Sequence, residues 1–398
     1  MTKQQNAVSW RSALLAGTAA AFATGAAMPA MAADNAKVIT SSSEKVKVRI
    51  TGQINRAVLY YDDDFNDGIK HIDNDFSSTR FRWHADAKVN NDIKIGAIME
   101  IQAENNSGLS ASGTPLQDND AGGDAASLTD RKLEFWIHHN QLGRIYVGKG
   151  DSASNNSSLS TAHAGGVANL TALPGLGGGG LHFKQNGNVC DNLNTCVRLQ
   201  SAISDFDGLS RVNRIRYDTP VFAGFQARVS HLDGGRTDAS LWYNGKMFDT
   251  KIKGAAAYAW GNNSGGFDQV NGSLSVQHSS GIGASFAGGY RNVDGRDNDG
   301  SFTHDPVMLT FGLNFDRKYS ELGVTSISGQ YQHVSSLAAS GDVAEVWSIA
   351  VVQHIDAAAF ELYGQYMHAE LDRDGVSNGA ANTFGDLDSI MIGGRIKF

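Results

Sequence analysis

The sequence has no apolar run beyond its first 33 residues that is long enough to cross a membrane as a helix. Such a helix needs about 20 mainly apolar residues, whereas the mean hydropathy of this chain is -0.28. This absence leaves two classes for an exported chain: a protein soluble outside the cytoplasm, or a β-barrel whose strands cross the membrane. Hydropathy does not separate them, because the polar interior of a barrel dilutes the signal.

An excess of basic charge is also missing. The chain has 33 Lys and Arg residues against 41 Asp and Glu residues, a formal net charge of -8. Proteins that bind nucleic acids generally present a basic surface, so this balance predicts no nucleic-acid partner. Charged residues make up only 19% of the chain, below the usual ~25% of soluble domains.

Cysteine and proline are scarce, with two and five residues, whereas glycine is abundant with 46. Cys190 and Cys196 lie in "NVCDNLNTCVRL", where export would allow a small local disulfide, or they could stay as two free thiols. No CxxC pair and no HExxH motif is present. The sequence therefore predicts neither a metal site nor a cofactor.

Residues 1–32 are typical of a secretory signal peptide. Lys3 and Arg11 form a basic start, residues 13–28 are apolar, and residues 30–32 read Ala-Met-Ala, a small-x-small cleavage site. The alternative is a membrane anchor, because no charge occurs from residue 12 to residue 33. We expect cleavage, which leaves a single domain from residue 33 to residue 398.

Apolar and polar residues alternate along most of the remaining chain. In "RFRWHADAKV", Phe81, Trp83 and Ala85 share one face of a strand, and Arg80 and Arg82 share the other. About sixteen stretches behave in this way. They begin near Lys45, Ser78, Ile93, Asp130, Gly143, Ser210, Phe225, Ala239, Thr250, Gln269, Ile282, Pro306, Leu322, Ala344, Ala358 and Leu387.

The connections between these stretches fall into short and long classes. Short ones include residues 89–93 and 140–143, and the long ones are residues 62–77, 105–129, 151–209, 292–305 and 372–386. Short turns on one side and long loops on the other are typical of outer-membrane barrels. Closing the sheet pairs every backbone polar group, as hydrocarbon requires. The pattern predicts an all-β fold, a transmembrane antiparallel β-barrel of about 16 strands.

Five segments together resemble the general Gram-negative bacterial porins, the outer-membrane general diffusion porins. They are residues 48–64, 78–89, 143–156 and 214–230 and the final "IGGRIKF". The resemblance implies a sixteen-stranded outer-membrane barrel, usually a homotrimer, whose long loop after the fifth strand folds into the lumen as a constriction. It further implies passive diffusion of ions and small hydrophilic solutes, with the lipid bilayer and lipopolysaccharide as partners.

The resemblance also implies a row of basic side chains on the barrel wall, facing acidic side chains on the long loop 151–209. Facing rows of opposite charge narrow a pore and set a transverse field, and we expect weak ion selectivity here. The basic candidates are Arg80, Arg82, Lys132, Arg211, Arg214 and Arg216, and the acidic candidates are Asp151, Asp205 and Asp207.

Two basic residues break the alternation. Arg131 matches the strand arginine of the family, yet it shares its parity with Leu133 and Phe135, so Lys132 is expected to face inward instead. Arg56 interrupts the outward apolar set of its strand, which predicts a β-bulge.

The final segment "SIMIGGRIKF" alternates up to its last residue. The pattern predicts a last strand that pairs with the first near residues 45–61 and leaves no edge. Ile390, Ile392, Ile396 and Phe398 would face lipid, and Arg395 and Lys397 the lumen or the periplasmic rim. The resemblance implies that Phe398 serves as an assembly signal.

Two alternatives to a passive porin stay open at this stage. The first is an outer-membrane β-barrel enzyme of the lipase or protease type, which would need a nucleophile and a base, although no GxSxG motif is present. The second is a soluble, exported carbohydrate-binding β protein. The sequence favours a channel over an enzyme.

Overall fold

Sixteen antiparallel strands close into a barrel, which confirms the predicted fold class. The computed structural model describes residues 39–40, 45–108, 127–170, 173–174, 178–185, 196–261, 267–292, 305–373 and 384–398. The predicted signal peptide lies outside these residues. Among the helices that the model describes, none has the length and apolar composition needed to cross a membrane.

The barrel strands are numbered β1 to β16 in chain order, and each pairs with its neighbour along the chain. Their bounds are β1 Val46–Asp62, β2 in two segments Asp67–Asp73 and Arg80–Lys88, β3 Ile93–Glu104, β4 Ser127–His139, β5 Gly143–Asp151, β6 Arg211–Asp218, β7 Phe225–Leu232, β8 Thr237–Met247, β9 Thr250–Trp260, β10 Asp268–His278, β11 Ile282–Asn292, β12 Val307–Ser320, β13 Gly323–Ser335, β14 Asp342–Ile355, β15 Phe360–Arg373 and β16 Leu387–Lys397.

The alternation of the sequence matches the two faces of the barrel wall. On β12, Leu309, Phe311 and Leu313 are about half exposed, whereas Met308 and Thr310 are buried. Large apolar side chains with this outward exposure recur around the barrel, from Ile50 on β1 to Ile396 on β16. This apolar outer face suits contact with lipid, and the opposite face encloses polar and charged groups.

The predicted long connection 62–77 is wrong, because half of it is strand. The first segment of β2 pairs with β1 through Tyr60 and Ile69, and a 3-10 turn at Asp75–Ser77 then interrupts the strand. Gln53 Nε2 and Asn55 Nδ2 donate hydrogen bonds to the Ser77 carbonyl at 2.8 and 2.9 Å, which fixes the turn on the inner face. The segment "DGIKHID" carries polar residues on both faces, so the alternation did not reveal it.

The β-bulge predicted at Arg56 is also wrong. β1 pairs with β16 without a register shift from Gln53 to Asp62, and Arg56 simply faces outward. Its side chain is 44% exposed, and its Nη1 lies 2.7 Å from Asp73 Oδ1. The extra residues lie in the partner strand, where the turn interrupts β2.

A β-bulge does occur in β4, at Arg131. Lys132 pairs with Glu100 and Asp130 pairs with Ile101, so Arg131 is the extra residue. Its Nε donates to Glu100 Oε1 at 2.7 Å, which places it on the inner side together with Lys132. The expectation that Lys132 alone faces inward here is therefore wrong, because the bulge shifts the parity by one residue.

The barrel closes where β16 pairs with β1. Phe398 extends this ladder, since its carbonyl accepts from Gly52 N at 2.7 Å and its N–H donates to Gly52 O at 3.1 Å. Its ring lies 5.6 Å from the Phe81 ring, and a Cβ on Gly52 would stand only 2.6 Å from Phe398 Cζ. Gly52 thus leaves the space into which the last aromatic ring packs.

Deleting Phe398 should reduce the fraction of folded barrel in the outer membrane, because the seam loses two backbone hydrogen bonds and a packed ring. The measurement is the heat-modifiable band of the membrane fraction in gel electrophoresis, relative to total protein. Phe248→Ala is the control, since Phe248 is 90% exposed in a turn. Equal folded levels for the deletion and the wild type would contradict this role.

Candidate functional site: the constriction

The described parts of the segment between β5 and β6 lie inside the barrel. This segment, the lumen loop (residues 152–170, 173–174, 178–185 and 196–210), bonds to inner-facing residues of strands from β7 to β15. The bonds include Ala153 N to Ser230 Oγ at 2.9 Å, Ala162 N to Ser275 Oγ at 3.0 Å, Ala164 N to Asp316 Oδ2 at 2.8 Å, Asn169 Nδ2 to Ser328 Oγ at 3.0 Å and Gln365 Nε2 to Ala168 O at 2.7 Å. The loop therefore follows one side of the inner wall.

An apolar core joins the lumen loop to the wall. Phe183, Leu199 and Phe206 of the loop are fully buried against inner-facing side chains such as Met308 and Met367. On the β2 side, Asn74 Nδ2 donates to Val167 O at 3.3 Å, next to the turn at Asp75–Ser77. The loop is thus held from β7 round to β2, and the basic side chains lie on strands from β2 to β7.

The basic wall consists of the inner-facing cations of β2, β4, β6 and β7. They are Arg80, Arg82, Arg131, Lys132, Arg211, Arg214, Arg216 and Arg228. All six basic candidates of the sequence are in this set. Arg131 and Arg228 were not among the predicted candidates. Arg131 was missed because the β-bulge turns its side chain inward.

Glu100 on β3 is the centre of the first ion-pair cluster. Its carboxylate is only 2% exposed and lies 2.5 Å from Arg82 Nε, 2.7 Å from Arg131 Nε and 3.6 Å from Arg80 Nη1. A buried carboxylate is costly without partners, and here three guanidinium groups surround it. The side chains of Arg80, Arg82 and Arg131 are 14%, 27% and 19% exposed, respectively.

Asp151 is the centre of the second cluster. It pairs with Lys132 and with Arg211, whose Nε lies 2.9 Å from Asp151 Oδ1, and it accepts a hydrogen bond from Asn155 Nδ2 at 2.7 Å. Asp151 was expected as an acid of the constriction loop. It is instead the last residue of β5, because the ladder with β6 extends as far as the pair Asp151 and Arg211.

Arg214 and Arg216 lie deeper in the wall. The Arg214 side chain is fully buried, where it pairs with Glu134 and donates to the Gly148 and Asp151 carbonyls at 3.1 and 2.9 Å. Arg216 makes two contacts with Asp218, at 2.9 and 3.1 Å. These two cations support the wall, and the more exposed cations form its surface.

The wall carries eight cations and four carboxylates, Glu100, Glu134, Asp151 and Asp218. Its local charge is therefore positive although the whole chain is acidic. The carboxylates occupy the inner parity of their strands, which is a signal that the sequence contains. Of these four carboxylates, only Asp151 was among the predicted acids, and it was predicted on the loop rather than on the wall.

Asp205 and Asp207 lie in the last part of the lumen loop, as expected from the sequence. Asp207 accepts a hydrogen bond from Ser158 Oγ at 3.4 Å. Burial raises the pKa of both carboxyls, and the charge of Asp205 raises the pKa of Asp207 further, while Arg211 opposes both shifts. Asp207 therefore holds its proton at a higher pH than an ordinary aspartic acid.

Cys196 is in a disulfide bond. Cys190 is the only other cysteine of the sequence, and it lies outside the described residues.

Comparisons with known proteins agree with this geometry. A family model described as Gram-negative porin matches residues 16–374. Solved structures with the same fold include OmpT of Vibrio cholerae in its trimer form (11% identity, 89% of this chain and 99% of that chain, TM-score 0.53), the channel DcaP of Acinetobacter baumannii (13%, 90% and 99%, 0.52) and Salmonella typhi OmpF in complex with daunomycin (10%, 90% and 100%, 0.55). A search of curated sequences returned no match.

Lowering the pH from about 8 to about 5, a range in which ordinary carboxylates stay ionised, should increase the preference for anions. Asp207 takes up its proton first, and the positive charge of Arg211 is then less compensated. Reversal potentials in a salt gradient measure this preference. Asp207→Asn should prefer anions more than the wild type at pH 8 and should change less as the pH falls, although the histidines still titrate in this range. Asp233→Asn in an exposed turn should follow the wild type. A wild-type preference that does not change with pH would refute the assignment.

Proposed function

Because the chain belongs to the Gram-negative porin family, we propose that its basic wall and lumen loop set the width and ion preference of the channel. Membership of this family makes the protein an outer-membrane channel for passive diffusion. The family does not favour the alternative of a soluble carbohydrate-binding protein. The proposal concerns the residues that act on the passing solutes.

This proposal rests on the net positive charge of the basic wall. Arg80, Arg82 and Arg131 share one carboxylate, and each keeps part of its side chain exposed. A charged rim in a narrow polar passage raises the local concentration of counter-ions. We expect the preference for anions to be weak, because carboxylates alternate with the cations and Asp205 and Asp207 lie close to Arg211.

Arg80→Ala should raise the single-channel conductance by a few tens of per cent and lower the preference for anions. The substitution removes a bulky cation, while Glu100 keeps its two nearer partners, so the barrel should still fold. Conductance and reversal potential in planar bilayers test both effects. Arg49→Ala removes an exposed cation nearer to the strand end and is the control. An unchanged current for Arg80→Ala would remove this residue from the constriction.

We also propose that three copies of the chain assemble side by side, with the outer face of β1 in the interface. Arg56 supports this arrangement, since it is half exposed on the outer face between Ile54 and Val58, which are 45% and 42% exposed. A charged side chain facing hydrocarbon costs roughly 2–4 kcal/mol at the bilayer midplane and less near the membrane surface. A neighbouring subunit would cover Arg56 with protein instead of lipid, whereas Asp73 is already only 2% exposed.

Ile54→Arg should therefore dissociate the trimer, because it adds a second charge to the proposed interface. The matched control is Leu274→Arg on β10, on the other side of the barrel, where the replaced side chain is 50% exposed. This control should insert less efficiently but stay trimeric. Native mass measurements in detergent distinguish the two results. A trimeric Ile54→Arg variant would place the interface elsewhere.

The remaining partners of the channel are proposed from its surfaces. The outward apolar side chains suit the lipid bilayer, and the end of the barrel with the long connections would meet lipopolysaccharide. We propose that the protein catalyses no reaction, since the family accounts for passive transport. Hydrolysis of lipid or peptide that is lost on a single serine or aspartate substitution would overturn this statement.

A further inference from the structure

A group of ligand-type side chains lies on the outer face of the barrel, far from the constriction. We propose that His368, Glu370 and Asp386 form a binding site for zinc or a similar transition-metal ion. One ligand atom of each residue lies within 4.8 Å of the others. The site is at the ends of β15 and β16 that carry the long connection between these strands. It does not depend on the channel function.

The strand register explains why these residues meet. His368 and Glu370 are two residues apart on β15 and so share its outward face. Asp388 of β16 is the direct partner of His368. Asp386 precedes Asp388 by two residues, which puts it beside Glu370 just beyond the last pair of the ladder. Four ligand-type residues thus occupy two neighbouring positions of one antiparallel pair.

The histidine ring is oriented as in a metal site. Its Nδ1 lies 3.0 Å from Asp388 Oδ1, and Tyr366 holds the same oxygen with its hydroxyl group at 2.5 Å. With the Nδ1 proton donated to Asp388, the neutral ring directs the lone pair of Nε2 toward Glu370. Carboxylates orient the ring of metal-bound histidines in the same way.

The contact on the other ring nitrogen calls for a cation. His368 Nε2 and Glu370 Oε1 are 2.9 Å apart, so two acceptors face each other unless a proton or a metal ion lies between them. Zinc binds imidazole nitrogen at about 2.0–2.1 Å and carboxylate oxygen at about 2.0–2.2 Å. At the tetrahedral angle that zinc prefers, two such ligands lie roughly 3.4 Å apart, so these two atoms would move apart by about half an ångström to hold the ion.

The negative charge of the group also favours the binding of a cation. Glu370 and Asp386 carry like charges on neighbouring strands, a placement that destabilises a sheet. Asp64 adds a third carboxylate, since its Oδ2 accepts from Asp386 N at 2.9 Å. Within the described part of the chain, neither Glu370 nor Asp386 pairs with a lysine or an arginine. A divalent ion would compensate this charge, and an imidazole ligand favours zinc, copper or nickel over calcium.

His333 offers a matched comparison on the same outer face. Its Nδ1 lies 3.2 Å from Glu345 Oε1, so it forms a histidine–carboxylate pair on β13 and β14. This pair is not part of the three-residue group around His368. It lies in the same row of outward residues, because Glu345 pairs directly with Glu370, so it tests whether this neighbouring imidazole contributes to binding.

The test is a zinc titration of the folded protein in detergent, purified without a polyhistidine tag. We expect one zinc ion per chain and a higher unfolding temperature in its presence. His368→Ala and Asp386→Asn should each weaken binding by about tenfold or more, and Asp388→Asn should weaken it while the stoichiometry stays the same. His333→Ala should bind zinc like the wild type. Calcium at the same concentration should not compete.

Heat-modifiable gel mobility shows whether each variant is folded. If His368→Ala does not fold, Asp386→Asn decides the question, because Asp386 lies outside the strand. A wild type that binds no zinc, or that binds it equally well without His368 or Asp386, would overturn the proposal. Loss of binding in His333→Ala alone would assign the ion to a different site and would also overturn it.

Discussion

The structure depends on one constraint, which is that backbone polar groups surrounded by hydrocarbon must pair with other backbone groups. The ladder between β16 and β1 satisfies this constraint by closing the sheet, and Phe398 continues that ladder to Gly52. Closure in turn forces each strand to have an outer and an inner face. The outer face became apolar, and the inner face became the only place in the wall where many charges can be accommodated.

The inner face is divided between an apolar core on one side and the channel on the other. Apolar residues of the lumen loop, such as Phe183 and Leu199, fill one side with a packed core like that of a soluble protein. The other side holds cations that need partners, and Glu100 and Asp151 supply them within the wall. Because the pairing is internal, the guanidinium groups are fixed in place while some of their surface still faces the solutes.

The alternation of the sequence predicted most strands and the inward position of Arg80 and Arg82, because lipid and water impose opposite demands on successive residues. It did not predict the first segment of β2, where both faces are polar. It also misjudged Arg56 and Arg131. The bulge at Arg131 and the outward ion pair of Arg56 break the rule that links parity to environment, and neither feature has a local sequence signal. The contacts of the lumen loop are long-range and could not be read from the chain.

The bracing of the lumen loop has a consequence for how the channel operates. The loop is bonded to strands from β7 to β15 and meets the β2 turn through Asn74 and Val167. No side of the opening is formed by a segment attached at one end only, at least among the described residues. We expect such an opening to behave as a fixed orifice rather than a valve. Its throughput would respond to what occupies it and to the charge on its rim, with no need for a hinge.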